Sequence, residues 1–240
     1  MLEIYNEQVR DLLAGGGGPA GGAGLRVRED TERGPWVEGL SEHEARDASR
    51  VAELVAAGAA RRAVGSTAAN AASSRAHTLV QLELALRARE GAPATLSRIT
   101  LVDLAGSERV SATGAAAAQL KEGSHINRSL SALGNCVRAL AGRASSAHVP
   151  YRDSVLTRLL KQSLGGNART TAVVNVSSDP SDAAETMGTL RYADRLQRVQ
   201  TAAVVNTERT PLAERRAQPA QQRHQAAGSR HRSGESAGRR

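Results

Sequence analysis

The sequence contains no phenylalanine, one tryptophan and three tyrosines in 240 residues. With so few aromatics, and none interleaved with the basic residues, the surfaces that stack on exposed bases are missing, and no specific nucleic-acid binding is expected. A single cysteine, Cys136, excludes an internal disulfide framework. With no redox or metal partner in view, this thiol is expected to be buried and inert. No apolar run approaches the roughly 20 residues of a membrane-spanning helix. No signal-peptide pattern opens the chain. The six histidines show no metal-ligand spacing. Only two lysines occur, Lys121 and Lys161, and neither follows a suitable glycine. The phosphate-binding loop G-x-x-x-x-G-K-[ST] is therefore absent from these 240 residues. The tract Gly15–Gly24 is no substitute, because it carries neither a lysine for phosphate nor a hydroxyl for Mg²⁺. It reads as a flexible surface insertion.

Two short segments stand out against these absences. Ser73-Ser74-Arg75 follows Asn70, and Asp103-Leu104-Ala105-Gly106-Ser107-Glu108 closes the apolar run Ile99 to Leu104. That run is β-branched and apolar, as a buried strand is. In an open α/β sheet, ligands bind beyond the carboxyl ends of the strands. A carboxylate there suits Mg²⁺, which dehydrates reluctantly and is held through water. Gly106, lacking Cβ, lets its amide approach a terminal phosphate. The adjacent hydroxyls offer oxygen ligands, and Arg75 suits a bidentate pair with a carboxylate such as Glu108. Taken singly, each segment is an ordinary loop or Asx turn. Together they look like the two nucleotide-sensing switches of a phosphate-loop NTPase.

Further segments narrow the resemblance. Asn70 to His77 and Leu101 to Arg109 are followed by Leu120 to Leu130, Val149 to Leu160, Leu164-Gly-Gly-Asn167 and Thr189 to Arg195. In this order the chain, from Leu2 to about Asn206, resembles a kinesin motor domain. The resemblance implies a partial phosphate-loop NTPase fold of α/β class, with a mostly β central sheet flanked by helices. It implies ATP and Mg²⁺ as cofactors, and microtubules (tubulin) as partner. Ser73 and Ser74 fall on the first switch, with Ser74 contacting Mg²⁺. Asp103 falls on the second switch and holds Mg²⁺ through water, and the Gly106 amide senses the γ-phosphate. Arg75 and Glu108 match the ion pair that closes the switches and positions the attacking water. Tubulin-facing segments map onto Lys121–Ala141, 142–149 and 150–164, with Lys121, Arg128, Arg138, Arg143, Arg152, Arg158 and Lys161 as candidate contacts. Residues 200–207 look like a neck linker, with Val204 and Val205 adding as a strand and Asn206 as its latch. A linker after the core is the arrangement of plus-end-directed motors. Leu25 to Glu29 and Gly34 to Leu40 lean toward the vesicle-transporting class.

The departures matter as much. Ala76 stands where the family usually has serine, and Thr78 to Leu82 lacks the family's common phenylalanine while staying apolar. The missing phosphate loop leaves two readings open. In one, a truncated sequence belongs to an ATP-driven motor whose loop is supplied upstream. In the other, a nucleotide-free kinesin-like module only binds microtubules or other proteins. A GTPase sharing switch logic is nearly excluded by the motifs of the tubulin-binding half.

The expected organisation is a partial motor domain over 1–199, a linker over 200–207 and a disordered Arg-rich tail over 208–240. The tail has eight arginines against three glutamates and too few apolar residues to fold. It contributes most of the formal net charge of +8. No coiled-coil heptads follow the linker. The expected location is cytoplasmic, on the microtubule cytoskeleton. Helices are expected over 8–13, 47–62, 126–141, 154–164 and 182–199, the last with Thr186, Leu190 and Ala193 on one face. Strands are expected over 2–6, 25–27, 36–37, 78–87, 96–104 and 171–176.

Overall fold

The computed structural model describes residues 1–15, 24–30, 34–64, 75–106, 117–142 and 148–207. Tertiary contacts divide the chain into two compact units. One comprises Met1–Gln81 with Thr100–Val204, the other Leu82–Ile99 with the residues from Val205 onward.

The first unit opens with strand β1 (Leu2–Tyr5), paired antiparallel with β2 (Gln8–Asp11) in the register Tyr5↔Gln8. Residues 8–13 thus begin as a strand, which corrects the expected helical turn. The cause is local: Asn6 and Glu7 adopt φ of 53° and 59°, the left-handed pair of a two-residue hairpin. β1 also pairs antiparallel with β5 (His77–Leu86), Ile4 opposite His77. With β6 (Thr95–Asp103) and β7 (Asn206–Thr207) the sheet order is β2-β1-β5-β6-β7. A second, two-stranded sheet joins β3 (Val27–Asp30) to β4 (Gly34–Val37). Gly34-Pro35 lies within β4, so this strand begins two residues before the expected 36–37.

Helices supply the covering layer. α1 (Ala48–Val64) precedes β5, and α2 (Ala117–Ala141) begins well before the expected Ile126. The helix expected over 154–164 is two short ones, α3 (Val155–Leu159) and α4 (Lys161–Gly165), offset where Leu160 takes ψ of 2°. α3 starts at a capping box in which Ser154 accepts the Thr157 amide and Thr157 reaches back to the Ser154 amide. Gly165 permits close packing, because a Cβ there would lie 2.6 Å from the Tyr151 hydroxyl and 2.7 Å from Leu140.

The core of this unit gathers Leu2, Ile4, Val9, Leu79, Leu133, Val137, Leu156, Leu159 and Leu164 around Cys136. α5 (Ala183–Gln197) packs against it through Tyr192 and Leu196, with Val199 just beyond. Thr186, Leu190 and Ala193 lie in this helix at the expected helical spacing, but Leu190 is 47% exposed and the packed residues are Tyr192 and Leu196. Residues 171–176 are not a strand, although the run is β-branched. Val173 is 84% exposed, and among the described residues no strand pairs with this segment. Propensity makes a strand only where a ladder partner exists.

In the second unit, Arg98 of β6 donates to Glu83 of β5 through Nε at 3.0 Å and Nη2 at 2.6 Å. β7 adds antiparallel to the start of β6, Leu96 opposite Asn206. The strand at the linker is thus Asn206–Thr207, and Val204 and Val205 lie outside it, a correction to the expected strand. Both valines are exposed. A residue joins a strand through its main-chain ladder, and here that ladder forms at the two residues opposite Thr95 and Leu96.

Candidate functional site: two switch segments joined at one helix

Two side chains bring the predicted switch segments together. Arg62, in the last turn of α1, donates from Nη1 to Asp103 Oδ2 at 3.0 Å and from Nη2 to the Ala76 carbonyl at 3.3 Å. One guanidinium thus spans the residue after Arg75 and the carboxylate at the end of β6, using the fork geometry that suits it to such bridging. Glu3 lies 4.0 Å away on β1. Burial raises the Glu3 pKa, and Arg10 and Arg62 oppose that rise.

His77 makes the second junction. It is 2% exposed, at the start of β5. Its Nδ1 accepts the Ala105 amide at 3.0 Å, which places the ring proton on Nε2. Nε2 then donates to Ser129 Oγ of α2 at 2.7 Å. Burial lowers the His77 pKa to about 4, against the pull of the Asp103 carboxylate, so the ring is neutral near pH 7.

Asp103 is 69% exposed at the carboxyl end of its strand, and Gly106 follows it, half-buried. The described donors are a carboxylate and a main-chain amide. They fit the hydrated side of a Mg²⁺–phosphate group, since hard oxygen donors and N–H groups are what such a group takes. Arg75 is half-buried beside Ala76. Ser73, Ser74 and Glu108 lie outside the described residues, as do Arg143 and the Lys121 side chain.

On the expected partner face, Arg128, Arg138 and Arg152 are exposed. Arg158 and Lys161 are engaged within the fold: Arg158 Nη2 donates to the Val27 carbonyl at 2.9 Å, and Lys161 pairs with Glu29. These contacts fix the β3–β4 hairpin against α3 and α4. Between them opens a cleft of about 650 Å³, edged by Arg28, Glu29, His148, Arg152, Arg158 and Lys161. Among the described residues no helix is long and apolar enough to cross a membrane.

The family model for the kinesin motor domain matches residues 1–199. The chain belongs to the kinesin motor domain family. That family binds nucleotide with Mg²⁺. Among relatives, the kinesin-like protein KIF28 of Mus musculus is 46% identical over 216 residues, covering 89% of this chain and 20% of that protein. The kinesin-like protein KIF13A of Homo sapiens is 44% identical over 216 residues, covering 86% of this chain and 12% of that protein. A solved KIF14 dimer, bound by two heads to a microtubule with AMP-PNP, superposes with a TM-score of 0.77 at 38% identity. The match covers 90% of this chain and 62% of that one. A fast kinesin gives 0.75 at 43% identity, covering 88% and 58%. The chain thus spans about a fifth or less of the curated relatives quoted and about three-fifths of each kinesin structure.

The residues that sequence reasoning missed are those that join elements. Arg62 sits in an Ala-rich helix beside Arg61 with nothing to distinguish it. Ser129, within the segment Leu120 to Leu130, has nothing in the sequence that singles it out. The Asn167 side chain, also in a motif, accepts the Val204 amide at 2.7 Å.

Proposed function

We infer that this chain is the switch-bearing and microtubule-binding part of an ATP-driven, plus-end-directed motor. The observation that carries the reading is the pair of junctions at Arg62 and His77. They tie the two switch segments to each other and to α2, the helix expected to face tubulin. Asp103 would hold Mg²⁺ through water and the Gly106 amide would meet the terminal phosphate, with Ser73, Ser74, Arg75 and Glu108 completing the switches. Bound ATP–Mg²⁺ supplies the phosphoryl group whose transfer powers the cycle. The residues position and neutralise charge, which is most of what phosphoryl transfer asks of a protein. In this reading the rest of the nucleotide cradle would come from a phosphate loop supplied upstream.

The partner surface follows from charge. Arg128, Arg138 and Arg152 present cations from α2 and the segment after it. Lys121 and Arg143 are further candidate contacts, while Arg158 and Lys161 are engaged within the fold. Tubulin is acidic, so such a face steers encounter and makes binding salt-sensitive. The β3–β4 hairpin carries the segments that lean toward the vesicle-transporting class. Association with microtubules would put the protein on the cytoskeleton, with the cytoplasm as the location this reading favours.

Co-sedimentation with microtubules tests the partner. The chain should pellet with them at low ionic strength and release as salt rises. A chain that stays in the supernatant at low salt sinks the reading. ATP turnover should be absent from the 240 residues and appear when a polypeptide carrying the phosphate loop precedes them.

A further inference from the structure

The His77 imidazole contacts two elements with its two nitrogens and leaves little room for substitution. On one side Nδ1 receives the Ala105 N–H, one residue before Gly106. On the other Nε2–H reaches the Ser129 hydroxyl, itself 2% exposed inside α2. His77 also stands at the start of β5, opposite Ile4 of β1. A single rigid ring therefore touches the loop expected to sense phosphate and the helix expected to meet the filament, and it is anchored in the central sheet. A planar ring with two bonded ends transmits displacement better than two independent contacts would, because neither end can move without rotating the other. A neutral ring is needed for this arrangement: a doubly protonated one could not accept from Ala105. The depressed pKa, caused first by burial, keeps that state through the physiological range.

We propose that His77 is a positioning residue that couples the Asp103–Gly106 loop to α2, so that a shift of either is felt by the other through the Ala105–His77–Ser129 relay. It acts through its neighbours and touches no substrate. The assignment of α2 as the filament-facing helix rests on the function proposed above. The relay itself rests on the two hydrogen bonds.

The test is hydrogen exchange at the Ala105 amide of the full chain, free and with microtubules. Ser129→Ala removes the α2 end of the relay, and Ser131→Ala, at an exposed position of the same helix, is the control. The Leu160 amide, bonded to the Leu156 carbonyl in the core, reports global opening. In the free chain Ser129→Ala should accelerate Ala105 exchange at least threefold more than Leu160 exchange, and Ser131→Ala should not. Equal acceleration at both amides, or none at Ala105, overturns the relay. With microtubules, Ala105 exchange should change at least threefold in the unmodified chain and less than 1.5-fold in Ser129→Ala, with pelleting retained. The same change in both, or none in the unmodified chain that pellets, also overturns it. If the unmodified chain does not pellet, the partner reading falls and the free-chain comparison alone decides the relay. Imidazole ¹⁵N shifts give an independent readout: an Nδ1–H or doubly protonated ring at pH 7 refutes the arrangement. His77→Asn, which keeps an acceptor near the Nδ1 position, should preserve Ala105 protection better than His77→Gln.

Discussion

Asn167 holds Val204: the side-chain Oδ1 accepts the Val204 amide at 2.7 Å, between residues 37 apart in sequence. A second bond, from the Ala202 amide to the Gly166 carbonyl at 3.3 Å, lies beside it. The segment after α5 is thus tied to the loop that follows α4 just before β7 begins. Replacing Asn167 with alanine removes the side-chain anchor. Exchange of the Val204 amide should rise about fivefold or more, while global stability falls by no more than about 1 kcal/mol, because the bond is solvent-exposed. A variant with unchanged Val204 exchange would show that the anchor is not formed in solution.

The core of the first unit depends on α3. Leu156 is fully buried in a core that gathers leucines from β1, β5, α2 and α4. Leu156→Ala should cost about 2–5 kcal/mol, the usual range for a buried leucine left as a cavity. Urea unfolding monitored by circular dichroism measures this directly. A loss under about 1 kcal/mol would mean that the core there is loosely packed.

Stability should fall on mild acidification. The folded-state pKa of His77, about 4, lies below its ordinary value of 6.5, so the unfolded chain binds the proton first. Stability from this group is whole above pH 6.5 and is lost as pH falls toward 4. The linkage predicts a loss of about 2 kcal/mol at pH 5 and about 3 in full. Glu3 works in the opposite direction, because its raised pKa favours the folded state as protons bind. The His77 share is isolated by repeating the urea titrations on His77→Asn, whose stability should decline less between pH 7 and 5. Equal slopes in both proteins would refute the assignment.

Cys136 should be chemically silent in the folded state. It is fully buried, and burial, with Asp153 adding, raises its pKa to about 11. At pH 8 the reactive thiolate is scarce and shielded. Iodoacetamide labelling read by mass spectrometry should proceed at least a hundredfold more slowly than in urea. Rapid labelling would place the thiol at the surface.

Gly188 is a cheap gain. It lies within α5, where a Cβ would meet nothing within 4 Å. Gly188→Ala should stabilise the chain by up to about 1 kcal/mol, the helix-interior difference between the two residues. A thermal melt suffices to check the sign.

Much of the fold was legible in the sequence because it is local. The helix over 47–62 and the strands β5 and β6 are marked by their own residues, whatever packs on them. The candidate switch residues stood out for a different reason: Asp103 and Gly106 are residue types that suit a Mg²⁺–phosphate group at a strand end. What the sequence hid are relations between distant residues. Nothing at 62 announces a bond to 103, and a serine at 129 reads as an ordinary helix residue until His77 is placed beside it. The run 171–176 misled for the same reason. Its β-branched residues report an intrinsic preference, while a strand also requires a neighbour.

The internal engagement of Arg158 and Lys161 changes how the basic face should be counted. Seven cations were candidates for the acidic partner, yet these two already hold the β3–β4 hairpin through Val27 and Glu29. Lys161, paired with the Glu29 carboxylate, contributes little to the valence a filament experiences, whereas Arg158, bonded to a neutral carbonyl, keeps its charge but is held in place. Plots of log affinity against log salt concentration should therefore be shallower than seven cations imply. Glu29→Gln, which releases Lys161, should steepen the slope and tighten binding at low salt, so that loosening the hairpin and strengthening the grip become one event.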